Sequence, residues 1–238
     1  ITLWTCLLLF SFANIQLQAQ TLPYKNPTLS TEERVQDLLG RMTLEEKVAQ
    51  LRHIHSENVF DGQKLNKEKV KTFCQNMSFG FVEGLPLYSE NCNFMKLQRY
   101  MVEETRLGIP VIITTEALHG MAQDGATIFP QNIALGSTFN PELAYRKSCA
   151  ISEELHTAGI RQVLAPCIDV VRDLRWGRVE ESYGEDPWLC AQMGIAETKG
   201  YLNNHISPML KHYGAHGAPV GGLNLASVDC GVRDLIDI

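Results

Sequence analysis

Pro110-Val111-Ile112-Ile113-Thr114, running directly into Thr115-Glu116-Ala117-Leu118-His119-Gly120, is the stretch that decides the fold. A short continuous apolar run of this kind reads as a strand buried on both faces of a parallel sheet. It ends at once in a carboxylate, an imidazole and a glycine. The pattern recurs. The expected strand at 161–165 is followed by Asp169 and the charge-dense segment Arg175 to Pro187, and the expected strand at 207–211 ends in Lys211 and His212. Three successive strands thus deliver charged side chains from their carboxyl ends.

Helices fill the intervals. Asn140 as cap and Pro141 in the first turn open a helix over about 141–157, and further helices are expected over about 91–106 and 187–203. A possible short strand lies at Gly80-Phe81-Val82. Strand and helix in alternation imply an α/β fold with a parallel sheet. No glycine-rich phosphate loop follows a strand, so an open dinucleotide-binding sheet is disfavoured and no cofactor is expected. A site assembled from several strand ends suits a TIM-type (β/α)8 barrel.

Upstream, Ser30-Thr31-Glu32-Glu33 and Thr43-Leu44-Glu45-Glu46 both have capping-box spacing. They predict short helices at about 31–39 and 44–52, with Val35, Leu38, Leu39, Met42, Val48 and Leu51 as their apolar face. The chain is expected to divide into a leader at 1–19, a helical lead-in at 20–52 and barrel residues at 53–238. Leu3 to Ile15 is an uncharged apolar run ending near Ala19, as in a secretory signal peptide, so export to a periplasm or the exterior is expected. The first residue is Ile, and the natural start is expected to lie further upstream.

The formal charge of −6 and the lack of a basic cluster argue against nucleic acid and anionic membrane as partners. Six cysteines remain beyond the leader, without a CxxC, and most read as buried small apolar residues. Cys74 and Cys92 are mild disulfide candidates. His212 and His216 stand four residues apart, but Gly214 and Gly217 make a helix poor there, so no metal site is expected.

Arg175 to Pro187, RWGRVEESYGEDP, holds four carboxylates and two arginines in thirteen residues, with Gly177, Gly184 and Pro187 interrupting any helical period. Arg178 offers a planar fork of donors and is the expected ligand contact. Trp176 is expected to pack, and Glu181 and Asp186 to hold the loop through arginines. Lys211 and His212 form a donor pair suited to sugar hydroxyls, and Glu116 can accept from adjacent ring hydroxyls. Glu116 reads equally well as a structural carboxylate paired with an arginine.

TEALHG (115–120), ATIFPQNIALGSTFNPEL (126–143), LAPCIDVVRDLRWGRVEESYGEDP (164–187) and KHYGAHG (211–217) together resemble the N-terminal domain of glycoside hydrolase family 3. The resemblance covers about 30–230. It implies a barrel usually followed by an α/β sandwich domain, acting with retention on β-linked glycosides as a β-glucosidase or β-xylosidase. It places the non-reducing sugar against Glu116, Arg178, Lys211 and His212. Many members carry Asp where Glu116 stands, and Pro where Leu174 stands. KHYGAHG differs from the KHFPGHG of the N-acetylglucosaminidase branch, which is disfavoured.

A retaining glycosidase needs two carboxyl groups about 5–5.5 Å apart. By the resemblance, the nucleophilic Asp follows in a Ser-Asp-Trp-type segment and the acid/base commonly comes from the second domain. Neither is found here, and both are expected beyond Ile238. The barrel is therefore expected to be incomplete on its C-terminal side, with the missing C-terminal part of the same protein as its partner. The isolated chain is expected to be inactive. Two rivals stay open: a non-catalytic carbohydrate-binding remnant, and an inverting hydrolase using Glu180, Glu181, Glu185 or Asp186.

Overall fold

The computed structural model describes residues 22–62, 64–75, 77–84 and 93–237. The expected leader lies outside these residues, as does Cys92; Cys74 is a buried free thiol, pushed up to about 12 by burial. The chain forms two compact units, Ile1–Lys47 and Val48–Ile238.

In the first unit, α1 (Thr31–Arg41) begins with the capping box foreseen in the sequence. Ser30 accepts from the Glu33 N–H, and the Glu33 carboxylate accepts from the Ser30 N–H at 2.9 Å. A 3-10 turn at Pro23–Lys25 precedes it, where the buried Tyr24 donates its N–H to Asp37 Oδ2. The second helix, α2 (Leu44–Ala49), is shorter than expected. The foreseen apolar face is largely open: α1 buries no residue fully, and Val35 and Leu39 are each 41% exposed.

The second unit is built on a sheet. β1 (His53–His55), β4 (Phe81–Glu83), β5 (Ile112–Thr115), β6 (Gln162–Val163) and β7 (Ser207–Pro208) pair in that order, every pair parallel. The registers place Ile54 beside Val82, Thr114 beside Gln162 and Val163 beside Pro208. A small antiparallel pair, β2 (Phe60–Asp61) and β3 (Lys64–Leu65), and helix α3 (Lys67–Cys74) lie between β1 and β4. Helices α4 (Asn93–Glu104), α5 (Asn132–Gly136), α6 (Pro141–Thr157) and α7 (Pro187–Asn203) supply the crossovers, and α8 (Val232–Asp237) follows β7. The strands appear in chain order with helices between them, which is the winding of a barrel. Among the described residues the sheet does not close.

Strand alternation explains the core. Ile54, Val82, Ile113 and Val163 face the helices, where Leu97 and Met101 of α4 and Ile151 and Leu155 of α6 complete one buried cluster. The opposite face carries Ile112 and Thr114. Thr114 is 1% exposed, so β5 is buried on both faces, as its sequence suggested, except at its first residue, Ile112, which is 41% exposed.

α6 and α7 have the ends expected for them. Asn140 Oδ1 accepts from the Glu142 N–H at 3.1 Å, and Asp186 Oδ1 from the Leu189 N–H at 2.7 Å, each ahead of a proline. Asp186 thus caps α7 rather than pairing with an arginine, because its position just before Pro187 puts its carboxylate over the free N–H groups of the first turn. The two helices cross closely at Gly200, where a Cβ would overlap Ser148 Oγ and come within 2.7 Å of Tyr145 O. Gly200→Ala is expected to cost about 1–3 kcal/mol through overpacking. Urea unfolding of the purified chain checks this, and an unchanged midpoint would show that the crossing is not tight.

Candidate functional site

Each candidate side chain sits at the carboxyl end of a strand. Glu116 follows β5 directly, and Arg178 lies in the long loop after β6, held by a 3-10 turn at Val179–Glu181. Lys211 follows β7 and is tied back to the β6 side. Lys211 N–H donates to Pro166 O at 3.0 Å, and Ile168 N–H donates to Lys211 O at 2.8 Å, in a parallel bridge between Cys167 and Lys211. The parallel approach of the two chains after β6 and β7 therefore resumes at Cys167 and Lys211, and it aims the lysine at the β5 end.

Glu116, Arg178 and Lys211 meet in one cavity of about 630 Å³, with Glu181, His119 and Asp124 also in its wall. Lys211 Nζ lies 2.9 and 2.8 Å from the two Glu116 oxygens and 4.0 Å from Glu181 Oε2. Glu116 therefore pairs with a lysine, where the sequence had allowed an arginine. Arg178 is bidentate to Glu181, with Nε to Oε1 and Nη2 to Oε2 both at 2.7 Å. The Glu181 carboxylate holds the Arg178 guanidinium even more firmly protonated than usual. So Glu181 does hold the loop through an arginine, as expected, and it also lines the cavity. Trp176 packs, 2% exposed, with its indole N–H donated to Asn224 Oδ1 at 3.1 Å.

The cavity wall thus alternates cations and carboxylates, each already oriented by its neighbour. Such a wall can donate to and accept from adjacent hydroxyls of one ring without reorganising. Lys211 is 11% exposed in its side chain and Glu116 47%, so the carboxylate is the more open partner.

His212 stands apart. Its ring lines a neighbouring cavity of about 440 Å³ with Asp169, Arg172 and Asp229, and not the one that Glu116, Arg178 and Lys211 share. The cause is Asp169, whose Oδ2 accepts from the His212 backbone N–H at 3.1 Å, from His212 Nδ1 at 2.6 Å and from the Cys167 thiol at 3.1 Å. That acceptor assigns the ring proton to Nδ1 and leaves Nε2 as an acceptor.

Burial lowers the His212 pKa below its ordinary value and outweighs the opposing pull of Asp169. The contact is then a hydrogen bond to a neutral ring rather than an ion pair. In the folded chain the ring takes up a proton less readily than in the unfolded chain. Stability from this group is thus complete above about 6.5, the ordinary histidine value, and falls as pH drops below it. Compared with wild type, His212→Gln is expected to lose less stability between pH 7 and pH 5, read from urea midpoints; parallel curves would remove the assignment.

Cys167, Asp169 and His212 also have the ligand chemistry that soft metals use, and their ligand atoms lie within 4.8 Å of one another. Here they satisfy each other. Burial keeps the Cys167 thiol protonated far above its ordinary range, so it serves as a hydrogen donor to Asp169.

Sequence reasoning missed the buried charges beneath the site. Lys147 of α6 and Glu197 of α7 form an ion pair at 2.7 Å, with side chains 4% and 0% exposed. A signal existed. Lys147 falls on the helix face of Ala144 and Ile151, and Glu197 on that of Met193 and Tyr201, where a solvated charge has no place.

Comparison with known proteins bears on the family and the fold. The model of the glycosyl hydrolase family 3 N-terminal domain matches residues 43–238. The chain belongs to glycoside hydrolase family 3. It is 33% identical over 241 residues to a putative β-xylosidase of Formosa agariphila, covering 92% of this chain and 31% of that protein. A periplasmic β-glucosidase of Salmonella typhimurium is 29% identical, over 90% of this chain and 28% of its own length. Among solved structures, a β-glucosidase from Erythrobacter marinus superposes with a TM-score of 0.78 at 30% identity, covering 90% of this chain and 30% of its own. This family 3 chain thus spans about 31% of the length of the first of these relatives. Its unclosed parallel sheet is part of the family's TIM-type barrel domain.

Proposed function

We propose that the protein carrying this chain releases terminal non-reducing β-D-glycosyl residues from glycosides with retention, as a β-glucosidase or β-xylosidase. The observation that carries this reading is the convergence of Glu116, Arg178 and Lys211, from three strand ends, on one cavity. In this proposal they grip the non-reducing sugar. His212 assists from the adjacent wall through its Nε2, and Glu181 orients Arg178.

These residues bind and orient but do not carry the chemistry. Glu116 and Glu181 are each already engaged by a cation, Glu116 by Lys211 and Glu181 by Arg178. The nucleophile and the acid/base belong to other parts of the protein, and residues 1–238 alone are expected to bind a β-glycoside without turning it over. The proposed organisation is a leader at 1–19, a helical lead-in at 20–52 and barrel residues from 53. Export is supported by the apolar run from Leu3 to Ile15 and by the periplasmic relative. No helix among the described residues is long and apolar enough to cross a membrane.

The test uses 4-nitrophenyl β-D-glucoside and β-D-xyloside with the full protein and with residues 1–238. Turnover of at least one by the full protein, with the anomer retained by NMR, is the expected result. No turnover of either would overturn the activity. Hydrolysis by residues 1–238 alone would overturn the assignment of the chemistry to other residues.

A further inference from the structure

The Lys147–Glu197 pair lies outside the cavity wall but reaches both of its sides. An ammonium has three N–H donors. Those of Lys147 go to Glu197 Oε2 at 2.7 Å, Asn132 Oδ1 at 2.6 Å and Leu118 O at 2.8 Å. Asn132 passes the link on, donating its amide N–H to Glu181 O at 3.0 Å. Glu197 in turn is bonded by the Tyr183 hydroxyl, and Tyr201 Oη lies 3.4 Å from Glu197 Oε1 and 3.2 Å from Ala117 O. One wall of the cavity, at Glu116 and Leu118, is therefore tied to the other, at Arg178 and Glu181, through two buried charges and their neighbours Ala117 and Tyr183.

Stability alone does not account for such a device. Buried ion pairs replaced by apolar side chains of similar volume commonly leave a protein as stable or more so. What apolar residues cannot supply is a set of directed bonds to two separate loops. The side chains of Asn132, Lys147 and Glu197 that make these bonds are all buried, where hydrogen bonds are stronger than in water.

We propose that Lys147 and Glu197, relayed by Asn132, are positioning residues that set the spacing between the Glu116 wall and the Arg178–Glu181 wall, and thereby the affinity for the sugar. The effect on affinity rests on the sugar-binding reading of the cavity, whereas the bracing of the loops does not. A shift of walls by about 1 Å at such a site can cost on the order of 100-fold.

The double variant K147M/E197L removes both charges, so that neither is left buried alone. Asn132→Ala cuts the relay to Glu181 and leaves the pair intact. In the full protein, both are expected to keep the wild-type circular dichroism spectrum and to raise KM for 4-nitrophenyl β-D-glucoside or β-D-xyloside, the double variant by about tenfold or more. Amide exchange over 178–184, read without any sugar, is expected to quicken in both. Should the double variant fail to fold, Asn132→Ala alone decides the matter. Unchanged KM together with unchanged exchange in a folded variant overturns the proposal. Faster exchange in a protein that turns over no glycoside keeps the bracing and removes the sugar reading.

Discussion

Lys211→Met is expected to lower kcat/KM of the full protein for a β-glycoside by about 30-fold to several thousand-fold, corresponding to roughly 2–5 kcal/mol. The lysine bonds both oxygens of Glu116, and Glu181 Oε2 lies 4.0 Å away. Methionine keeps most of the unbranched apolar stem and removes the charge. Glu116, Glu181 and Asp124 then face one cavity with Arg178, already engaged by Glu181, as its remaining cation among the described residues. The sugar would lose one donor and meet a wall with uncompensated negative charge. Lys211→Arg is expected to recover little, because a planar fork does not reproduce a compact ammonium between two carboxylates. Steady-state kinetics, with the thermal midpoint as control, decide this. A loss below threefold in a folded variant would remove Lys211 from the site.

Lys147→Met carries the largest expected loss of stability. It leaves the Glu197 carboxylate buried without its cation, and breaking such a pair typically costs about 3–5 kcal/mol. For a domain of this size that corresponds to a drop of roughly 6–20 °C in thermal midpoint. The Tyr183 hydroxyl, together with Tyr201 where it donates to Glu197, offsets part of the loss by bonding to the stranded carboxylate. The contrast with K147M/E197L is diagnostic, since the double change leaves no lone charge. A single variant as stable as wild type would show that water reaches Glu197.

The elements legible in the sequence were those with local signals. α6 and α7 run over the expected residues because their caps and prolines adjoin, at Asn140-Pro141 and Asp186-Pro187. β1 was missed, since a three-residue His-Ile-His strand is too short to show a period. α3 was missed as well, because its buried residues are just Val70 and Cys74 in a lysine-rich run. At the site, Glu116, Arg178 and Lys211 were legible as charges ending apolar strands. The turning of His212 towards Asp169 was not, because Asp169 lies 43 residues earlier and its bond to the ring depends on how β6 and β7 pair.

By itself, then, the sequence determined the alternation of strands and helices, the capped helix starts, and the placing of charged residues at strand ends. All of these follow from interactions within a few residues along the chain. The tertiary structure decided the partners. Lys211 meets Glu116 across 95 residues, and Asn132 meets Glu181 across 49. Lys147 meets Glu197 where two helices cross. Contacts over such separations are set by sheet order, register and helix approach, and no local period along the chain encodes them.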